Sequence, residues 1–589
     1  MCGIVGLIGH QITTTEEKTN EILDVMEHRG RDNRGIVSIK DDEVIRCTIL
    51  GHNRLAINDL SPAGNQPFVY EDVSLVCNGE IWNSLQLRDR YEKRGYKPFS
   101  TSDNEVIIYA YLEDELKILD GMFSFILEHN GRVIVSRDWM GKMPLYYAYN
   151  HQLGQVHYLF SSEIKGLLRG DIPREGVRGK NNTIRLLRNN MVMVLDWREK
   201  QYNISYVKHS ESVRDKIISS NAFLTADQIE TQVDEYEHYY HKWSKTYIDS
   251  TEKEVADKTY ELLDNSVRKR LLSDVPVATC LSGGLDSSII TYLLKQYVPD
   301  IKAYTVSYDQ NSPDLKAARL VAESIGVELI EVVVPNDLEN LVDRFKKVLD
   351  AYEYTMTVQQ QVGMMQSYVA ERMAQDGIKV AFSGEGSDEA YGSYGRCRKY
   401  LNKPDWNSVR QDEFIKQNYG NLLRGNTIFM YFGTIELRCP FFDRDFLNYT
   451  TNLRAEHTSF KNQWKLPLAN AFRGKLPDEI IDQEKRAFQT GTNFKDDVEN
   501  KLMNRNSGLQ IDTKPATIFS RLILFQFQKR FGFHPKMLLD KYSVTGNTIK
   551  EIKPPKYTKN IGIRQESDDK HFKWTERKDS SGNVQPQGA

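Results

Sequence analysis

Cys2 opens the chain's chemistry, at the tip of an apolar run, Met1-Cys-Gly-Ile-Val-Gly-Leu-Ile-Gly9, that reads as a short strand. If Met1 is removed, the thiol and the α-amino group of Cys2 share one carbon framework. A thiol titrates near about 8.5 and an α-amine near about 7.7–8.0, so close to neutral pH the amine is partly unprotonated. Such a residue is a nucleophile with its own base attached. Taken alone it reads first as a small buried hydrophobe, and the rest of the chain must overturn that reading.

A second group of residues supplies what a thiolate attacking a carboxamide needs. An oxyanion forms, and donors must already stand where that charge develops. Asn78 and Gly79, in the turn-like Asn78-Gly-Glu-Ile-Trp-Asn83, can provide a side-chain amide and a backbone N–H. Asn-Gly by itself reads as a hairpin turn after a strand over 74–77. An amino-acid substrate also needs a cation for its carboxylate and an anion for its ammonium. Arg54 has the fork geometry for the first; Asp103 suits the second, with Glu80 beside it.

A third group lies far downstream. The apolar run Val275-Pro-Val-Ala-Thr-Cys-Leu281 passes into Ser282-Gly-Gly-Leu-Asp-Ser-Ser288 and then into a helix over 289–297. Small residues between strand and helix expose N–H groups at a positive helix end, which favours anions. The spacing is neither a Walker A loop nor a dinucleotide fingerprint. Ser282, Gly283, Gly284, Ser287 and Ser288 can line phosphate oxygens, and Asp286 can hold Mg²⁺, which takes carboxylate and phosphate oxygens together.

Residues 1–200 resemble the class II glutamine amidotransferase domain, through Cys2-Gly-Ile4, His28-Arg-Gly30, Arg54-Leu-Ala-Ile57, Asn78-Gly-Glu80, Ser102-Asp103, Gly121-Met-Phe123, Arg137-Asp138, Pro144-Leu-Tyr146 and Ser162-Glu163. The resemblance implies an N-terminal nucleophile fold, an antiparallel two-layer sandwich flanked by helices. It makes Cys2 the nucleophile and Asn78 and Gly79 the oxyanion hole. Glutamine is then held by Arg54, Leu55, Ala56, Ile57, Asn58, Asn78, Gly79, Glu80 and Asp103. One departure is Arg31, where the family carries a proline, so this loop lacks a fixed φ.

Residues 250–490 resemble the synthetase domain of glutamine-hydrolysing asparagine synthetases. The motifs are Leu281–Ser288, Pro313-Asp-Leu-Lys-Ala-Ala318, Ser383-Gly-Glu-Gly-Ser-Asp-Glu389 and Glu436-Leu-Arg-Cys-Pro-Phe-Phe-Asp443. That likeness implies ATP as substrate, with adenine contacts from Leu281, Val306, Ser383 and Gly384. Asp286 and Asp388 then serve Mg²⁺ and pyrophosphate, Glu385 assists formation of an acyl-adenylate, and Lys465 stabilises charge on the leaving phosphates. A second departure is Gln359–Gln361, where the family carries an arginine and a Thr-Pro pair near the acceptor.

Around these motifs the expected elements alternate. A helix is expected over 17–26, a strand over 43–50 and an amphipathic helix from Lys253. Strand-like runs at 302–308, 328–334 and 378–382 with a helix over 315–325 imply a parallel α/β sheet with ligands at its carboxyl end. The expected organisation is an amidotransferase domain (2–200), a polar linker or insertion (201–250), an ATP-binding domain (251–535) containing a helix over 519–533, and a tail (536–589) that is partly disordered. The fold class is α+β followed by α/β.

The whole chain has 589 residues, 40% hydrophobic and 27% charged, with a formal net charge of −3. No basic excess points to nucleic acid and no apolar run to a membrane. The residues after Gly9 do not read as a secretory h-region. Six scattered cysteines without a C-x-x-C pair suit a reducing cytoplasm. A homodimer is left open.

The expectation is an enzyme that hydrolyses glutamine at Cys2 and uses the ammonia to amidate aspartate through β-aspartyl-AMP, releasing glutamate, AMP and pyrophosphate. The alternatives are amidation of another carboxylate (a sugar acid or natural-product intermediate) and a non-catalytic glutamine- or nucleotide-binding module.

Overall fold

Strand β1, Gly3–His10, places Ile4 and Ile8 on one face and Val5 and Leu7 on the other, as a strand's period of two requires. Both faces are buried, so the strand lies inside a layered structure. The computed structural model describes residues 1–10, 16–41, 46–152, 155–170, 184–187, 189, 191–196, 203–208, 248–335, 337–353, 357–394, 397, 400–401, 403, 406, 410, 421–460, 463–483, 494–503, 523, 526, 530, 542–545, 548–551, 576–578 and 584–586. Most of 201–250, nearly all of the expected helix over 519–533 and most of the tail lie outside them.

The first half holds two six-stranded antiparallel sheets. One carries β1 with β2 (Asn33–Asp41) and β3 (Arg46–Arg54), alongside three strands between residues 146 and 186. The other carries β4 (Phe68–Tyr70), β5 (Val73–Ile81), β6 (Gly121–His129) and β7 (Arg132–Arg137), with Met191–Asp196 and Asn203–Lys208 beyond. Ile4, Ile8, Leu50, Val76, Ile126 and Val135 fill the space between the sheets. Helix α1 (Glu16–Asp24) covers the outer face of the first sheet through Ile22 and Leu23. Helices α2 (Ser84–Glu92) and α3 (Val106–Leu112) cover the second through Leu87, Val106 and Ile107. This is the expected sandwich flanked by helices.

The hairpin turn at Asn78-Gly79 is corrected. Strand β5 runs straight through Asn78, Gly79 and Glu80, which pair with Ser124, Phe123 and Met122 of β6. Gly79 has φ +143, and a Cβ there would lie 1.9 Å from the Met122 carbonyl oxygen. Glycine allows the close crossing that keeps the pairing intact.

The second half is built on five parallel strands: β8 (Val277–Cys280), β9 (Lys302–Ser307), β10 (Glu328–Val333), β11 (Val380–Phe382) and β12 (Glu436–Arg438). Their spatial order is β10-β9-β8-β11-β12. The chain leaves β8 to one edge and then returns to its other side. That reversal opens a crevice beyond the carboxyl ends of β8 and β11. Helix α4 (Glu252–Lys269) begins with a capping box from Thr251 and Glu254. Helix α5 starts at Leu285, four residues before the expected start, and ends at Tyr297; α6 (Pro313–Ile325) ends on Gly326 in the left-handed region. The cluster that packs Trp82, Met122 and Met140 of the first half continues into Val255, Ile289 and Phe442 of the second.

Candidate active site

At the first site, Cys2 N–H donates to Asn78 Oδ1 at 2.9 Å. That contact fixes the Asn78 amide and leaves Nδ2 buried without a hydrogen-bond partner among the described residues. A buried donor with no partner is costly, and beside a nucleophile it is what an oxyanion hole requires. The Cys2 thiol lies 3.9 Å from the Leu55 carbonyl. Burial pushes the thiol up, and the nearby terminal ammonium only partly offsets this. A thiol so raised must surrender its proton locally before it can attack anything.

The cleft beside Cys2 is lined by Arg54, Leu55, Ile57, Asn58, Gly79, Glu80 and Asp103. Arg54 Nη1 donates to Ser61 O at 3.0 Å and Asn65 Oδ1 at 2.6 Å, while Nη2 reaches the Asn58 and Asp59 carbonyls. The guanidinium thus shapes the 58–65 loop as well as facing the cleft. Ala56 N–H donates to Asp32 at 2.7 Å, and Asn58 Nδ2 bonds Glu80. Asp103 accepts from Ile81 N–H at 2.7 Å. Burial lifts the Asp103 carboxyl to about 6; burial together with Asp103 and Glu436 raises Glu80 further. The cleft is acidic, and it suits an ammonium.

The loop before this site is held on both sides of Arg31. Arg29 Nε donates to the Cys2 carbonyl at 2.9 Å, and its Nη1 bonds Glu163 at 2.9 Å. Asp32 N–H bonds the Arg54 carbonyl at 3.0 Å. Arg31 itself is exposed, so its departure from proline touches neither anchor.

At the second site two loops meet. Ser282 N–H donates to Ser287 Oγ at 3.1 Å, and Ser288 Oγ donates to the Gly284 carbonyl at 2.8 Å, so the Ser282–Ser288 loop wraps the start of α5. Gly283 has φ +74 and presses on α6, where a Cβ would meet Ala318 N at 2.5 Å. The loop after β11 arrives at the same place: a Cβ on Gly384 would lie 2.7 Å from Ser287 N. Leu281 and Val306 lie buried at the carboxyl ends of their strands. Ser383 N–H donates to the Arg438 carbonyl at 2.9 Å.

Lys465 ties the loops together. Its Nζ lies 2.6 Å from Asp286 Oδ2 and 2.7 Å from Asp388 Oδ1. Burial alone would lower this ammonium, but the two carboxylates outweigh burial and hold it above the usual lysine value. Among the described residues no three His, Cys, Asp or Glu side chains converge as a self-contained metal cage. Two carboxylates at the Ser282–Ser288 loop nonetheless have the donor chemistry that Mg²⁺ takes when it shares its shell with phosphate and water. Gln366 Nε2 lies 3.3 Å from Glu385 Oε1.

Family models agree with this two-site geometry. A glutamine amidotransferase domain model matches residues 1–194, and an asparagine synthase model matches residues 258–426 and 414–522. An asparagine synthetase [glutamine-hydrolyzing] of Asparagus officinalis is 30% identical over 526 residues, covering 84% of this chain and 78% of that one. The chain belongs to the glutamine-hydrolysing asparagine synthetase family. Asparagine synthetase B of Escherichia coli is 28% identical, with 84% of this chain and 83% of that one covered. A putative asparagine synthetase of Methanocaldococcus jannaschii is 29% identical, with 78% and 81% covered.

For a member of this family, sequence reasoning missed Glu436 and Arg438 as site residues. Glu436 lines the cleft beside Cys2, and Arg438 Nη2 lies 3.7 Å from Glu80. Both sat in a motif noted for its pattern alone. The available signal was an acid and a base two residues apart on one face of a short strand, a pair that is buried only where it is satisfied.

Proposed function

We propose that this chain converts L-aspartate to L-asparagine with nitrogen from glutamine, consuming ATP and releasing glutamate, AMP and pyrophosphate. The carrying observation is β12. Its Glu436 lines the cysteine cleft, while its Arg438 carbonyl holds the nucleotide loop at Ser383. Two half-reactions built around one strand are the arrangement expected of an enzyme that passes ammonia between them.

In this reading the Cys2 α-amine accepts the thiol proton and the sulfur attacks the glutamine carboxamide. Asn78 Nδ2 and the Gly79 N–H receive the developing oxyanion. Arg54 faces the substrate carboxylate, and Asp103 with Glu80 the ammonium, against a wall of Leu55, Ala56, Ile57 and Asn58. Ammonia leaves, and water hydrolyses the thioester.

At the second site Leu281, Val306, Ser383 and Gly384 hold the adenosine end of ATP. Ser282, Gly283, Gly284, Ser287 and Ser288 cradle its phosphates. The β-carboxylate oxygen of aspartate bonds to the α-phosphorus as pyrophosphate leaves, with Glu385 alongside and Lys465 balancing charge on the leaving group. Asp286 and Asp388 would hold Mg²⁺, which supplies Lewis-acid screening of the phosphates. Ammonia then attacks the acyl carbon and AMP departs. Six free cysteines fit a reducing cytoplasm.

The test is amide-¹⁵N-glutamine, MgATP and L-aspartate with purified protein, following labelled asparagine and pyrophosphate together. Equal amounts of both are expected. A Cys2→Ala variant should lose them with glutamine and regain them with ammonium. Glutamate release without asparagine would remove aspartate as acceptor.

A second reading, amidation of a different carboxylate, has one observation behind it. The Gln359 carboxamide is buried with neither end hydrogen-bonded among the described residues, on the same helix as Gln366, which reaches Glu385. Neutral amides in that position favour an acceptor recognised by hydrogen bonds. Thr355 and Met356, part of the same departure, lie outside the described residues.

A further inference from the structure

Glu436 belongs to the half of the chain that does not carry Cys2, yet among the described residues lining the Cys2 cleft it is the one from that half. It is fully buried. Arg438 Nε clamps its Oε1 at 2.7 Å, and Arg438 is itself fixed by the Arg270 and Leu272 carbonyls. The carboxylate cannot swing. Its Oε2 makes no hydrogen bond among the described residues and lies 3.5 Å from the terminal nitrogen of Met1.

The surrounding groups leave this oxygen a distinct task. From the loop before β2, Arg29 holds the Cys2 carbonyl. From β3, His52 is kept neutral, its burial lowering it to about 3, and the Arg54 terminal nitrogens bond loop acceptors at the cleft's rim. From β5, Cys77 is a buried thiol raised by burial, and Glu80 has one oxygen on Asn58. Asp103 has one oxygen on Ile81 N–H. Asp103 is anchored within its own half, while Glu80 also lies 3.7 Å from Arg438 Nη2.

Loss of Met1 clears a buried residue from the cleft and makes Cys2 N the α-amine, beside Asn78 Oδ1. We propose that Glu436 is a positioning residue of glutamine hydrolysis: its Oε2 faces the newly exposed α-amine, directly or through one water, so that the base beside the Cys2 thiol is set by the opposite half of the chain. The inference rests on the reading of Cys2 as nucleophile. A facing carboxylate favours the charged form of an amine. Glu436 thereby orients the amine and holds the acid limb of hydrolysis at a higher pH than the cleft would otherwise give.

The experiment uses the full chain, with removal of Met1 confirmed by intact mass. Glutamate release is measured without ATP or aspartate, as kcat at saturating glutamine across pH. Glu436→Gln should move the acid limb down by about one pH unit, and Glu436→Asp, which withdraws the carboxylate by one methylene, should move it less in the same direction. Ammonia-dependent pyrophosphate release reports whether each variant is folded. A limb that coincides with wild type in folded Glu436→Gln overturns the proposal; if that variant does not fold, coincidence in Glu436→Asp does so. A shifted limb without asparagine synthesis leaves the inference standing and removes the acceptor. Absence of glutamate release from the wild type removes the nucleophile and the inference together.

Discussion

Asn78 is held by the Cys2 N–H through one end of its amide, and the other end is a buried N–H₂ without a hydrogen-bond partner among the described residues. Asn78→Ala should lower kcat for glutamine hydrolysis by about 10²–10³-fold, the usual effect of losing one oxyanion donor. Asn78→Asp should do as badly, since an ionised carboxylate cannot donate. Ammonia-dependent asparagine synthesis, measured on the same preparations, should persist in both.

The acidity of the cleft predicts a pH-dependent affinity. Burial lifts Asp103 to about 6, and its carboxylate must be ionised to hold a substrate ammonium. KM for glutamine should rise as the pH falls through about 6, while KM for ammonium-driven synthesis shows no matching rise. Asp103→Asn should carry a raised KM at every pH and lose the inflection. Initial rates between pH 5 and 8 decide it.

Gly384 is where the two nucleotide loops touch, with no room for a methyl group beside Ser287 N and Asp286 C at 2.7 and 2.8 Å. Gly384→Ala must push backbone against backbone, so the loops part. ATP affinity should fall at least about tenfold, a loss near 1.4 kcal/mol, measured by equilibrium nucleotide binding. Glutamine hydrolysis at Cys2 should stay close to wild type, because no cleft residue moves.

Asp443 predicts where stability is concentrated. It is buried and lies 2.9 Å from Arg270 and 2.5 Å from Lys269, while Lys269 reaches Asp120 of the first half at 2.7 Å. Burial alone would raise the Asp443 carboxyl, but Arg270 and Lys269 outweigh it and hold it below the usual range. Asp443→Asn leaves Arg270 buried and uncompensated, which should cost about 3–5 kcal/mol in urea unfolding. A depressed carboxyl stabilises above its unfolded pKa of about 3.9 and loses that contribution as the pH falls. The gap between wild type and Asp443→Asn should therefore narrow on acidification below about pH 4. Asp120→Ala, at a more open pair, should cost no more than about 1 kcal/mol.

What the sequence showed best was local. Ser282–Ser288 is a contiguous run of small residues between an apolar run and a helix, and the structure folds it at the head of α5. Strand β1 was legible for the same reason, since a continuous apolar run is a property of neighbours. Asn78-Gly79 misled because Asn-Gly is a strong turn signal, whereas here a positive-φ glycine lets β5 cross closely over Met122. Glu436 was invisible as a cleft residue because the rest of that cleft is built from residues 1–104, far earlier in the chain. Residues 209–247 and most of the tail lie outside the described structure, so their sequence remains the only statement about them.

Strand β12 is the outermost strand of its sheet, only three residues long, and its Glu436 and Arg438 are fully buried beside Met1, Glu80 and Trp82. An outermost strand is a template on which another chain can add. Packing the amidotransferase half beside it hides that template. Producing the synthetase half without the amidotransferase half would bare it, and that fragment would be prone to self-association. Packing the two halves together thus covers an edge that the synthetase half alone would leave open.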